Sequence, residues 1–131
     1  MLRTKSIRLG REPDDGIRIS VMSRHTLTDG VTPDPEITPN LYDDWWPELA
    51  PPPKLIGDHY KRDLPWDEFE QRYIDHIRSP QTAKQMENLI SLVLVKSVTL
   101  LCVEDTPQRC HRRLLAQECL LLSPGIIVDI R

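Results

Sequence analysis

Thiol, imidazole, carboxylate and guanidinium groups crowd into one short stretch of this chain, Leu100-Leu101-Cys102-Val103-Glu104-Asp105-Thr106-Pro107-Gln108-Arg109-Cys110-His111-Arg112-Arg113. An apolar run ends there and a helix-like apolar segment begins directly behind it, so the implied order is strand, reactive loop, helix. That setting suits chemistry. Open α/β sheets bind ligands just beyond the carboxyl ends of their strands, where helix N-termini also point.

Each group suggests a role. Cys110 and His111 lie near the start of the helical segment, where unpaired backbone amides and the helix dipole favour negative charge. Together with Arg109, Arg112 and Arg113, that environment lowers a thiol pKa and would make Cys110 a nucleophile at neutral pH; the competing reading is a small buried packing residue. Adjacent helical residues point about 100° apart, so the spacing does not pair Cys110 with His111, and one of them is expected to face a pocket while the other packs. Glu104 follows Cys102 by two positions, which puts both on one face of an extended strand end. It is a candidate general acid or base, or an orienter of His111; alternatively it forms a structural salt bridge with Arg112 or Arg109. Arg112 carries the planar fork that suits phosphate or carboxylate. Arg24 and His25 follow a second strand-like segment and reach the same sheet edge, unless they are a surface turn. The expected catalytic groups are therefore Glu104, Cys110 and His111, and the expected ligand contacts are Arg112, Arg24, His25 and Cys102. An anion cradle is the sharpest physical expectation.

Better-known arrangements fit less well. A cysteine-phosphatase loop needs an arginine six positions after its cysteine, but position 108 is Gln108 and Arg109 comes one place late. Cys102, Cys110, His111 and Glu104 have atom types that suit zinc, yet no C-x-x-C pair is present, and no metal is expected. No glycine-rich dinucleotide fingerprint or phosphate loop precedes any predicted helix, so the sequence names no cofactor.

The rest of the chain bounds the setting. At 131 residues a single α/β domain spanning 1–131 is expected. A net charge of −3 and a pI near 5.8 argue against a general nucleic-acid binder, which carries a basic face. The longest uncharged apolar run, Leu89 to Val95, is too short to span a bilayer. Met1 to Lys5 lacks the apolar stretch of a secretory signal, and three cysteines, an odd number, point to reduced thiols. A cytoplasmic location is the expectation, without a membrane partner and with no particular protein partner singled out.

Several elements must position these groups. Leu2 to Leu9 is a weak first strand, and Ile17, Ile19 and Val21 alternate with Arg18, Ser20 and Met22 as a half-buried second one. Residues 23–53 hold seven of the twelve prolines and read as an irregular segment, with a short-helix pattern only at Asn40 to Trp46. Trp66, Phe69, Tyr73 and Ile77 mark an amphipathic helix after Pro65, while His59-Tyr60-Lys61-Arg62 reads as an exposed turn before it, able to close over a ligand. A second helix starts from Ser79-Pro80 and ends near Lys96. Val98 to Val103 has the pattern of a strand buried on both faces of a parallel sheet. Cys110 to Leu122 is helical and Ile126 to Ile130 is a last strand, which completes a C-terminal βαβ unit. The fold class is α/β, a small, mainly parallel sheet flanked by helices.

The pattern Thr99-Leu100-Leu101-Cys102-Val103-Glu104, then Pro107, Cys110-His111-Arg112-Arg113 and Leu114-Leu115-Ala116, resembles the prokaryotic family known as domain of unknown function 488. C-x-E and C-H-R are its hallmarks. Tyr42-Asp43-Asp44-Trp45, Leu49-Ala50-Pro51 and the Trp66-Phe69-Tyr73 helix also look like that family, so the resemblance covers nearly the whole chain. The D-R-x-W-P-R-G stretch of one branch is replaced here by Met22 to Gly30, and only Arg24 and Gly30 correspond. The resemblance implies an α/β fold and locates the site without bringing a settled activity. The functional expectation is an enzyme acting on an anionic small molecule, a nucleotide or another phosphate-bearing compound. The alternative is a non-catalytic ligand-binding or protein-interaction module that uses the proline-rich segment for partner contacts.

Overall fold

Val98 to Cys102 is entirely buried and becomes the middle strand of the sheet. The computed structural model describes residues 1–131. Its strands are β1 (Leu2–Ser6), β2 (Ile17–Ser20), β3 (Asp44–Trp45), β4 (Val98–Cys102) and β5 (Val128–Ile130), all parallel, in the order β3-β2-β4-β1-β5. Four helices flank it: α1 (Pro53–Lys61), α2 (Trp66–Ile77), α3 (Ala83–Val95) and α4 (His111–Leu122). The expected C-terminal βαβ unit is β4-α4-β5, with β1 inserted between its two strands. No helix is long and apolar enough to cross a membrane.

The order of strands creates a crevice. From β2 the chain leaves outward to β3, whereas from the neighbouring β4 it leaves through α4 to β5 on the other side. Connections that diverge from adjacent parallel strands leave a gap at their carboxyl ends, the usual ligand position of such sheets. Here that gap lies between the residues after Ser20 and those after Cys102.

Strand periodicity gives the sheet two unlike faces. In register, Leu2 and Ile17 flank Val98, and Thr4 and Ile19 flank Leu100, so one face is largely apolar. Leu2, Ile19, Val98 and Leu100 join Phe69, Tyr73, Met86, Leu89, Leu114 and Leu115 from the helices in the main core. Arg3, Lys5, Arg18 and Thr99 occupy the opposite face. Lys5 and Arg18 are at most 1% exposed, and both converge on Asp15, which is fully buried. Lys5 Nζ donates to its two carboxylate oxygens at 3.1 and 3.2 Å, and Arg18 Nη1 donates to it at 2.7 Å. The remaining Arg18 donors are taken by the Leu41 carbonyl at 2.7 Å and the Leu9 carbonyl at 3.0 Å. Loop backbone therefore closes this face. Gly16 permits the tight fit: its φ is +66°, and a Cβ there would lie 2.1 Å from the Ser97 carbonyl oxygen.

Three expected elements differ. The helix pattern at Asn40 to Trp46 yields a 3-10 turn at Pro39–Leu41 and then strand β3. Pairing with β2 prevails there, because the Asp43 amide donates to Arg18 O at 2.7 Å and its carboxylate accepts from the Arg18 amide at 2.8 Å. Residues 53–61, of which the sequence marks only Pro53 as irregular chain and 59–61 as part of a turn, form α1, with Leu55 buried in the core. The helix expected from Ser79-Pro80 starts at Ala83, since Thr82 Oγ1 donates back to His76 O at 3.0 Å and holds Ser79 to Thr82 as a turn.

Burial alone would raise the Asp15 carboxyl, but the Glu12 amide, Arg18 and Lys5 more than offset this and hold it below its ordinary value. Ionised Asp15 thus contributes stability that is complete above the unfolded-state value of about 3.9 and is lost as pH falls through the lower folded value. Asp15→Asn is expected to cost about 3 kcal/mol in urea unfolding at neutral pH, because it leaves buried Arg18 without a counter-charge and Lys5 with only the more exposed Glu12 carboxylate, 3.1 Å away. The cost should shrink in the same measurement between pH 4 and 2, where the native carboxyl also becomes neutral.

Candidate functional site

The reactive loop begins where β4 ends at Cys102 and finishes at the cap of α4. Cys110 is that cap, with extended backbone (φ −136°, ψ 137°), and His111 is the first helical residue. The 100° divergence of helical neighbours therefore does not apply, and the expectation that only one of the two faces the pocket is corrected. Cys102, Cys110 and His111 each bring a sulfur or ring nitrogen to one place, all within 4.8 Å of one another.

The imidazole is held from two sides. Its Nε2 lies 2.7 Å from the Val21 carbonyl oxygen, which can only accept, so Nε2 carries the hydrogen. In the neutral ring Nδ1 therefore presents its lone pair to Cys102 Sγ, 3.7 Å away. Tyr73 packs edge-on against the ring at a centroid distance of 5.3 Å, and its own hydroxyl donates to Leu49 O at 2.7 Å.

Arg112 is not the anion clamp that the sequence suggested. It is completely buried and does not line the cavity. Its Nη1 donates to the Glu104 carbonyl at 2.8 Å and to Cys110 Sγ at 3.3 Å, and Nη2 reaches the Arg131 carbonyl at 3.4 Å. Starting the helix at His111 turns Arg112 inward, between the ends of β4 and β5. Its role is to hold those ends together and to place positive charge beside the thiols; its Nε has no partner.

The two thiols then share a proton unequally. The neighbouring Cys110 thiol lowers the Cys102 pKa despite burial, helped by the Glu104 amide, the Arg112 guanidinium and the Val103 amide. Cys110 is correspondingly pushed up by its hydrogen bond to Cys102, by burial and by the charge on Cys102. The sequence assigned the activated thiol to Cys110; the environment favours Cys102. Cys119 is pushed up to about 12 by burial and the Glu118 carboxylate, which leaves it inert.

Glu104 stands at the mouth, with no ion pair to Arg109 or Arg112 through its carboxylate. Instead Oε1 accepts from Tyr60 Oη at 2.8 Å. Tyr60 comes from α1, and its part in the site was missed, although the aromatic-basic run at 59–62 had marked it as able to close over a ligand. A cavity of about 680 Å³ opens here, lined by Cys102, Glu104, Cys110 and His111 together with Tyr60, Phe69 and the cations Arg24, Lys61 and Arg109. Met22 to Arg24 and Thr26 to Gly30, all but Met22 from the segment expected to be irregular, form the facing wall. Arg24 is exposed at that wall and donates to Gly30 O at 3.2 Å. His25 turns away from the cavity: Ser20 Oγ is 2.7 Å from its Nε2, and its ring lies between Tyr42 and Trp45. Burial lowers its pKa.

Residues 2–123 match a protein-family model described as DUF488-N3a, the active DUF488-N3 subclade. Neither a curated protein nor a solved structure matches the chain.

An ultraviolet titration of thiolate absorbance checks the proton sharing. The native protein should show one step below the free-thiol value of about 8.5, with the other thiols ionising well above it. Cys102→Ser should abolish the early step and bring Cys110 down towards the ordinary range, because its strongest hydrogen bond and the facing charge are gone.

Proposed function

The chain belongs to the DUF488 family, in a subclade described as active, and on that premise we propose that it is an enzyme acting on an anionic small molecule by thiol chemistry. The observation that carries this reading is the 3.7 Å approach of Cys102 Sγ to His111 Nδ1 on the wall of the cavity. A thiol facing the free lone pair of a locked imidazole is the arrangement from which a thiolate nucleophile is generated. Cys102 is the attacking group, with the Cys110 thiol beside it. His111 accepts and returns the proton, and Arg112 stabilises the sulfur charge from behind.

Three cations around the cavity, Arg24, Lys61 and Arg109, suit an anionic substrate. Guanidinium forks match phosphate oxygens in particular, which favours a nucleotide or another phosphate-bearing compound. Phe69 and Tyr60 add aromatic surface for a planar portion of such a molecule. Glu104, held by Tyr60, serves as acid or base towards the leaving group. The interaction-module alternative loses weight, because residues 23–30 contribute to the wall of this cavity.

Iodoacetamide labelling with site mapping tests the reading on the folded protein. Cys102 should react at neutral pH about tenfold faster than a free cysteine, which is only a few per cent ionised there. Inorganic pyrophosphate should slow that labelling, and the double variant Arg24→Ala, Arg109→Ala should abolish the protection without abolishing the labelling. Thiols that react only after unfolding would overturn the nucleophile.

A further inference from the structure

Two sulfurs and one ring nitrogen that meet inside a folded protein are also a set of metal ligands. We infer that Cys102, Cys110 and His111 form a binding site for one thiophilic divalent cation, of which Zn²⁺ is the type, with its fourth position open to the cavity. The spacing had argued against this, because no C-x-x-C pair is present. The fold supplies the convergence by another route: one cysteine ends a strand, the other caps the following helix, and the histidine starts it.

The distances suit the ion. A tetrahedral centre with metal–sulfur bonds of about 2.3 Å and metal–nitrogen bonds of about 2.05 Å places sulfur and nitrogen about 3.6 Å apart and the two sulfurs about 3.8 Å apart. Cys102 Sγ and His111 Nδ1 are 3.7 Å apart, and all three donor atoms lie within 4.8 Å of one another. The side chains need little movement to close on an ion.

The surroundings supply an independent reason. Ligating histidines almost always donate their second ring N–H to a carbonyl or carboxylate, which orients the ring and fixes its tautomer. His111 does this through Nε2 to Val21 O at 2.7 Å, leaving Nδ1 as the ligating atom. Arg112 donates to Cys110 Sγ at 3.3 Å, as outer-shell donors do towards metal thiolates. Two thiolates cancel the charge of the divalent ion, so the buried guanidinium faces a neutral centre and not a bare cation. All three ligands line the cavity, so the fourth vertex is available to water or an incoming ligand. Three protein ligands with an open position distinguish this from a closed structural zinc site.

The site uses the atoms of the proposed thiol chemistry but does not depend on it. A bound ion occupies the sulfur lone pairs, so the loaded protein resists alkylation and the metal-free protein does not.

The test uses Co²⁺ as a spectroscopic probe on the full chain. Metal-free protein titrated with Co²⁺ should give one equivalent of a tetrahedral visible spectrum with a thiolate-to-cobalt charge-transfer band, and Zn²⁺ should displace it. One equivalent of Zn²⁺ should also stop iodoacetamide labelling until a chelator is added. Cys110→Ser and His111→Ala should weaken Zn²⁺ binding about a hundredfold or more, since even outer-shell losses cost about ten- to a hundredfold. Should either variant fail to fold, the wild-type spectrum and its stoichiometry still decide the matter. A folded protein that shows no tetrahedral cobalt spectrum, or a spectrum without the thiolate band, overturns the site. Rapid labelling that persists in excess Zn²⁺ also overturns it, and leaves the thiol-enzyme reading standing. Thiols that resist alkylation even in the metal-free folded protein sink the thiol reading alone.

Discussion

The hydrogen bond from His111 Nε2 to the Val21 carbonyl, 2.7 Å long, spans the gap between the chain leaving β2 and the start of α4. It is buried, and an unpaired donor or acceptor in that position costs about 1–3 kcal/mol, so both partners are constrained. Through it the diverging connections of the sheet are tied across their own crevice. The same bond decides which imidazole nitrogen is free, and therefore where the lone pair points. Fold and chemistry meet in one contact.

Arg112 is the second constraint, and the two act together. Burying a guanidinium is costly unless its charge and donors are satisfied. Here the strand-end carbonyls of Glu104 and Arg131 and the Cys110 sulfur accept from it. A neighbouring thiolate relieves the remaining charge, and the guanidinium in turn favours that thiolate. The polar sheet face follows the same rule on a larger scale. Asp15 and Glu12 together balance Lys5 and Arg18 where an ordinary α/β sheet would be apolar, and loop carbonyls take the remaining donors. The helices can then all contribute to one core on the other face, leaving the carboxyl edge clear for the cavity.

Much of this was legible in the sequence where periodicity and caps are local. The Trp66-Phe69-Tyr73-Ile77 stripe, the apolar run at Val98 and the α4 pattern each pointed to the element that forms, and the C-x-E and C-H-R elements located the site. What was not legible depends on partners distant in the chain. Asn40 to Trp46 has a helical pattern, but the Arg18 backbone draws it onto the sheet edge. Arg112 has the chemistry of a ligand clamp, yet only the positions of β4 and β5 reveal that it is enclosed. The convergence of Cys110 with His111 turned on one cap residue being extended, which shifts the start of the helix by a single position. Tyr60 carried a signal in its basic, aromatic neighbours, but its bond to Glu104 joins residues 44 positions apart.

The state of the His111 ring tests the central claim most directly. Imidazole nitrogen chemical shifts, read from long-range proton–nitrogen correlations, separate the two neutral tautomers. The geometry predicts that Nε2 carries the hydrogen that meets the Val21 carbonyl and that Nδ1 is the nitrogen facing the thiols. A neutral ring protonated on Nδ1 would contradict it, because the lone pair would then face the Val21 carbonyl and no base or metal ligand would be presented to Cys102.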